Sequence, residues 1–249
     1  MTFWDHLDDL RKSLIHIAVA LVAAAVVLFC FKDFLFEDVI LAPSKGDFIL
    51  YRLLGTDLSL SLVNIDVAAQ FLIHMKVTLI CALILIFPYI VFKVWEFIAP
   101  ALYDNEKKAV KGAFAFASIL FYLGLATGYF LIFPLMLNFF SGYQVSPDVV
   151  NTFSLTSYIS FLTSLVMTFG IVFEFPTIVA VLSSMGILAK EQLKGLRKYA
   201  FCIVLVLAAL ITPSGDPFSM LVTAFPLYVL YEFSILICRK GSVIQNVEE

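Results

Sequence analysis

"AFAFASILFYLGLATGYFLIFPLMLNFF", Ala113–Phe140, contains no charged side chain. A helix needs ~20 apolar residues to cross a hydrocarbon core of ~30 Å, and this run exceeds that length. The whole chain carries the same message. Of its 249 residues, 62% are hydrophobic and 14% charged, and the mean hydropathy is +1.01. A soluble domain is about 45–50% apolar and about 25% charged. One ordinary core cannot hide this excess, so a bilayer is the expected solvent and the class is a polytopic, all-α membrane protein. The formal net charge of −3 argues against a nucleic-acid partner.

Working outward from Ala113–Phe140, the uncharged or nearly uncharged runs predict six spans within a single domain, 1–249. The first four are 13–31, 71–95, 113–140 and 154–188. The last two, 199–212 and 217–238, are short, and the uncharged part of the final one is only Phe218–Tyr231. They are joined by the turn sequence "PSGD", Pro213 to Asp216. They read as a tight hairpin of short spans, with a re-entrant hairpin as the competing reading. Both readings leave the two termini on one side. Residues 1–12 carry Asp5, Asp8 and Asp9 and precede a long apolar run, so they are expected to be retained rather than cleaved as a leader. Phe3, Leu7, Leu10 and Leu14 recur at helical spacing, which predicts an amphipathic lead-in lying at the interface. The long loop Lys32–Gln70 is rich in Leu and Ile ("DFILYRLLG"), and it is expected to pack on the outer surface.

Orientation follows from the cations. With the N-terminus inside, twelve fall inside: Arg11, Lys12, Lys93, Lys107, Lys108, Lys111, Lys190, Lys194, Arg197, Lys198, Arg239 and Lys240. Four fall outside: Lys32, Lys45, Arg52 and Lys76. The expected topology has both termini cytoplasmic.

Catalytic motifs are absent. There is no G-x-S-x-G, no H-E-x-x-H and no phosphate-cradling glycine loop. His6, His16 and His74 lack metal-ligand spacing, and Cys30, Cys81, Cys202 and Cys238 form no C-x-x-C. No catalytic residue, metal site or cofactor is therefore expected. Glu174, in an otherwise uncharged span and followed by Pro176, is the sharpest polar feature. An ionisable group there costs a few kcal/mol. It reads as a partner contact, a proton relay, or a hydrogen-bonded packing residue. Asp216 reads as the N-cap of the last helix or as a functional acid of the outer turn. Asp9 and Glu106 lie on one rim, among lysines. They form an anionic patch able to take a cation, or each pairs with a neighbouring base, Arg11 or Lys12 and Lys107 respectively. Exposed pairs of that kind are worth only ~0–1 kcal/mol.

These segments, in order, resemble the TatC family, the polytopic subunit of the twin-arginine protein translocase. The matching stretches are "HLDDLRKSL" (His6–Leu14), "LAP" (Leu41–Pro43), "FIAPALYDNE" (Phe97–Glu106), "FGIVFEFP" (Phe169–Pro176) and "ITPSGDPFS" (Ile211–Ser219). The resemblance implies a receptor for twin-arginine signal peptides of folded precursors. It assigns Asp9, Arg11, Phe97 and Glu106 to the signal-binding surface. Glu174 corresponds to the family's intramembrane glutamate, and Pro43 and Asp216 to its external loops. It further implies TatA/TatB-type single-span partners, a homo-oligomer within the complex, the bacterial cytoplasmic membrane and drive by the proton-motive force. Two positions depart from the pattern. Asp9 stands where the family usually has Glu, and Ser13 stands where a base is common. Under this reading an acid among lysines makes physical sense, because guanidinium binds carboxylate by a planar fork that lysine cannot reproduce. A secondary transporter using Glu174 as a proton or ion site is the alternative, but it should show internal repeats and paired broken helices, which the sequence lacks.

Overall fold

The structure is a computed structural model. It describes residues 3–238 except 57, 59, 102, 103, 147, 149, 150, 213 and 214, and for 3–5, 101 and 104–110 it describes the backbone only. The chain forms α1 (Phe3–Cys30), α2 (Ile49–Leu54), α3 (Ala69–Ile98), α4 (Asp104–Ala126) and α5 (Phe133–Gly142). These are followed by α6 (Leu155–Val172), α7 (Phe175–Ser184), α8 (Lys190–Gly195), α9 (Arg197–Ile211) and α10 (Pro217–Ile237). Two-residue strands β1 (Leu62–Val63) and β2 (Phe153–Ser154) pair in parallel, Leu62 opposite Phe153.

Among the described residues, five helical stretches are long and apolar enough to cross a membrane: His6–Cys30, Ala69–Ile98, Lys111–Gly142, Leu155–Ser184 and Pro217–Ile237. They fall on predicted spans one to four and six. The predicted fifth span appears as α9, a helix of 15 residues. At ~1.5 Å per residue it reaches about 22 Å, short of a ~30 Å core. Three local features differ from the sequence expectation, each with a physical cause. The lead-in is not a separate interfacial element, because α1 runs unbroken from Phe3 to Cys30. The third span widens into a π-helical segment at Thr127–Ile132 just before Pro134, which cannot donate an amide hydrogen bond. The fourth stops at Ser184 rather than Leu188. Gly186 adopts φ 73°, the Ile187 amide bonds the Leu182 carbonyl at 3.0 Å and the Gly186 amide bonds the Ser183 carbonyl at 3.2 Å. That pair of bonds is the Schellman termination, and it needs a left-handed residue that glycine supplies without strain.

The chain divides into two compact units, Met1–Phe97 with Ala126–Val166, and Ile98–Leu125 with Met167–Glu249. In the first, α1 fully buries none of its membrane window. Its packing face is the half-buried row His6, Asp9, Leu10, Ser13 and Ile17. The core is Tyr51, Val77, Phe133, Met136, Ile159 and Leu162. The loop expected to pack does fold: Leu35, Ile40, Phe48, Leu50, Tyr51 and Leu58 are all buried.

In the second unit α10 packs on α9 and α7, around Val179, Leu193, Ala200, Tyr231, Ile235 and Cys238. α4 and α6 meet at two glycines. A Cβ on Gly124 would stand 2.5 Å from the Phe169 carbonyl oxygen, and one on Gly170 would stand 2.9 Å from Leu125 and Phe121 side-chain atoms. Close backbone approach over small residues is how helices pack in lipid, where no hydrophobic force drives them together.

Candidate functional site

The N-terminal motif and the end of α3 come together. The His6 and Phe97 rings stack with centroids 4.1 Å apart and 18° between planes. α3 stops at Ile98 and the chain turns through the 3-10 segment Ala99–Ala101, because Pro100 disfavours helix at the residue before it. Asp9, one turn after His6, is on the same half-buried face. Its carboxylate lies 3.8 Å from the Lys12 ammonium, and both side chains are largely exposed. Such a pair is worth ~0–1 kcal/mol, so the carboxylate stays available to a stronger donor. The Arg11 side chain is exposed. Glu106 is in the first turn of α4, and its side chain lies outside the described residues. At the same end of α3, the Lys93 ammonium bonds the Glu96 carboxylate at 2.7 Å and sits 5.9 Å from the Tyr89 and Phe92 ring centres.

Glu174 lies where the fourth span breaks. α6 ends at Val172 and α7 begins at Phe175. Pro176 has no amide hydrogen, so the i to i+4 ladder loses a bond there. The Glu174 amide instead takes the shorter bond to the Ile171 carbonyl, 3.0 Å. Glu174 Oε1 and Thr177 Oγ1, one turn on, are both buried with no hydrogen bond to a third group, and the carboxylate and hydroxyl interact only with each other. Thr177 and Pro176 line a groove of about 420 Å³ with Ala113, Phe116, Ser183 and Phe233. Buried polar atoms in folded proteins are nearly always paired; among the described residues, atoms of Thr56, His74, Thr78, Ser219 and Thr223 are also open, and Glu174 stands out as the carboxylate of the set.

Pro43 and Asp216, which the resemblance assigns to external loops, have structural roles. Pro43 is buried in a 3-10 turn, Ala42–Ser44, and its carbonyl accepts the Tyr51 hydroxyl at 2.9 Å. Burial pushes the Tyr51 phenol above its ordinary pKa, which keeps it a donor. Two further tyrosines hold the same loop, Tyr158 on the Ile40 carbonyl at 3.0 Å and Tyr129 on the Val39 carbonyl. Asp216 is the N-cap of α10, accepting the Ser219 amide at 2.8 Å, with Pro217 in the first turn. The capping reading of Asp216 is therefore the observed one.

Several contacts escaped the sequence. The His6–Phe97 stack joins residues far apart along the chain, and no periodicity signals it. Glu232 takes the Arg197 guanidinium at 2.6 Å and the Tyr228 hydroxyl at 3.3 Å. A basic residue at the start of α9 and an acid near the end of α10 were the available signal, given an antiparallel hairpin. Among the described residues, no three His, Cys, Asp or Glu side chains converge as metal ligands.

The family model of the Sec-independent protein translocase protein TatC matches residues 5–226. The TatC of Blattabacterium sp. subsp. Periplaneta americana is 38% identical over 252 residues, covering 95% of this chain and 94% of its own. That of Escherichia coli K12 is 35% identical over 239 residues, covering 94% of this chain and 86% of its own. A crystal structure described as the twin-arginine translocase receptor TatC in DDM superposes with a TM-score of 0.78 at 32% identity, covering 94% of this chain and 99% of that one. With this match across nearly its full length, the chain belongs to the TatC family of Sec-independent translocase proteins, multi-pass components of a transport system rather than enzymes.

Proposed function

We propose that this chain is the receptor subunit of its translocase, binding twin-arginine signal peptides through Asp9, Arg11, Phe97 and Glu106 on the cytoplasmic face. The observation that carries the reading is the His6–Phe97 stack, which fixes the motif-bearing start of α1 beside the end of α3. Phe97 stands nine positions before Glu106 in the sequence. In this reading the Asp9 and Glu106 carboxylates each take a guanidinium, Phe97 meets the signal's apolar flank, and the lysines nearby repel unspecific cationic peptides.

The reading includes six spans within one domain, 1–249, both termini cytoplasmic and residence in the bacterial inner membrane. The loop charges support that orientation, and α9 crosses with the bilayer thinned around it. Glu174 and Thr177 receive a polar side chain from a TatA/TatB-type single-span subunit, a reading supported by two buried oxygens with no partner beyond each other and by the open groove that Thr177 lines. The assembly holds more than one copy of this chain and is driven by the proton-motive force. The test is site-specific photocrosslinking from positions 97 and 106 to a twin-arginine signal. Adducts at both positions, lost when the arginine pair is replaced by lysines, are expected. Equal adducts with both signals would remove the receptor assignment.

A further inference from the structure

The loop between α1 and α3 is held on one side only. Its inner half is complete: Leu50 and Tyr51 of α2 are buried, and Tyr51 is bonded to Pro43. Its outer half exposes large apolar side chains between polar ones such as Arg52 and Asn64. Ile49 and Leu53, one turn apart on α2, are 70% and 81% exposed, and Leu54 is exposed beside them. Further along, Val63 and Ile65 share one face of an extended segment and Val67 lies in the turn entering α3. Ile65 is 76% exposed and Val67 fully so.

An aqueous loop gains nothing from such a surface, and contiguous exposed apolar patches mark an interaction site. What covers this one is set by continuity. The patch runs directly into Phe71 and Leu72 at the start of the membrane-length helix α3, and Phe31 and Phe34 stand just past the end of the membrane-length helix α1; all four are exposed. Two polar contacts of the loop are made within the chain: the exposed Asp47 lies 3.6 Å from the exposed Arg52, and Asn64 donates to the Asp66 carbonyl at 3.0 Å.

We infer that α2 and the Val63–Val67 segment form an interfacial anchor, with Ile49, Leu53, Ile65 and Val67 seated in the lipid leaflet at that end of the bundle. A short amphipathic helix with one apolar face lies in the interface plane in this way. Its partner is the acyl-chain boundary of the bilayer, and its effect is to fix the depth of the tyrosine-clamped loop. The inference rests on membrane insertion of the spans and is independent of the receptor reading.

The experiment uses the full chain in liposomes, with the four native cysteines replaced and spin labels placed singly at positions 47, 53, 65 and 71. Collision with oxygen reports lipid, and collision with a water-soluble nickel chelate reports water. Labels at 53 and 65 should favour oxygen as the label at 71 does, by severalfold over the label at 47. Nickel-favoured labels at 53 and 65 would overturn the anchor. Labels shielded from both agents would overturn it too, by showing a protein partner on the patch.

Discussion

The loop around Pro43 and the break at Glu174 are both irregular backbone in a helical protein, and they are finished differently. At the loop, three carbonyls (Val39, Ile40 and Pro43) each receive a tyrosine hydroxyl from within the chain. At the break, the Glu174 carboxylate and the Thr177 hydroxyl are buried with no partner beyond each other. An unmet polar atom in a low-dielectric setting costs about 1–3 kcal/mol. Under the proposed function, the difference is between carbonyls the chain satisfies itself and a carboxylate it offers to a partner.

The largest effect should come from neither region but from the helix contact in the Glu174 unit. Gly124→Val drives a side chain into backbone only 2.5 Å away. It should cost on the order of 4 kcal/mol or more and abolish stable accumulation in the membrane; normal accumulation would mean the helices can separate freely there. Next is the clamp. Tyr158→Phe leaves the Ile40 carbonyl unmet and should lower unfolding free energy by ~1–3 kcal/mol in a denaturant titration of the reconstituted protein. If the loss is nil, water reaches that carbonyl and the loop is less closed than described. The contrasting change at the break is Glu174→Ala. It should leave stability unchanged or raised, while weakening copurification of the small subunits by ~1–2 kcal/mol, about five- to thirtyfold. A stability loss with intact copurification would turn Glu174 into a packing residue and erase the contrast. The smallest effect is Asp216→Ala, about 1 kcal/mol from the lost N-cap, readable as a small drop in thermal midpoint with transport retained.

Much of this was legible in the sequence where a local rule was at stake. Uncharged length marked the spans, Pro100 the end of α3, Pro176 the broken fourth span, and Asp216 with Pro217 the start of α10. Gly186 was equally legible in principle, yet apolarity through Leu188 masked it, since hydropathy does not register a left-handed turn. The tyrosine clamp and the His6–Phe97 stack were not legible, because each depends on which helix lies beside which. A tyrosine in an apolar run looks the same whether or not a carbonyl awaits it. The site residues Asp9, Arg11, Phe97 and Glu106 came from the motif resemblance, and physical reading alone gave only an anionic rim.

The central claim is that Glu106 reads an arginine. Charge-assisted hydrogen bonds are worth roughly 1.5–3 kcal/mol, and 1.4 kcal/mol is tenfold in affinity. The direct measurement is the affinity of the reconstituted translocase for a twin-arginine signal peptide and for its twin-lysine version, with native protein and with Glu106→Gln. The account predicts a roughly ten- to hundredfold loss for the arginine signal and a much smaller change for the lysine signal, which has already lost the fork. Equal losses for the two signals would contradict it and leave Glu106 a solvated charge among lysines.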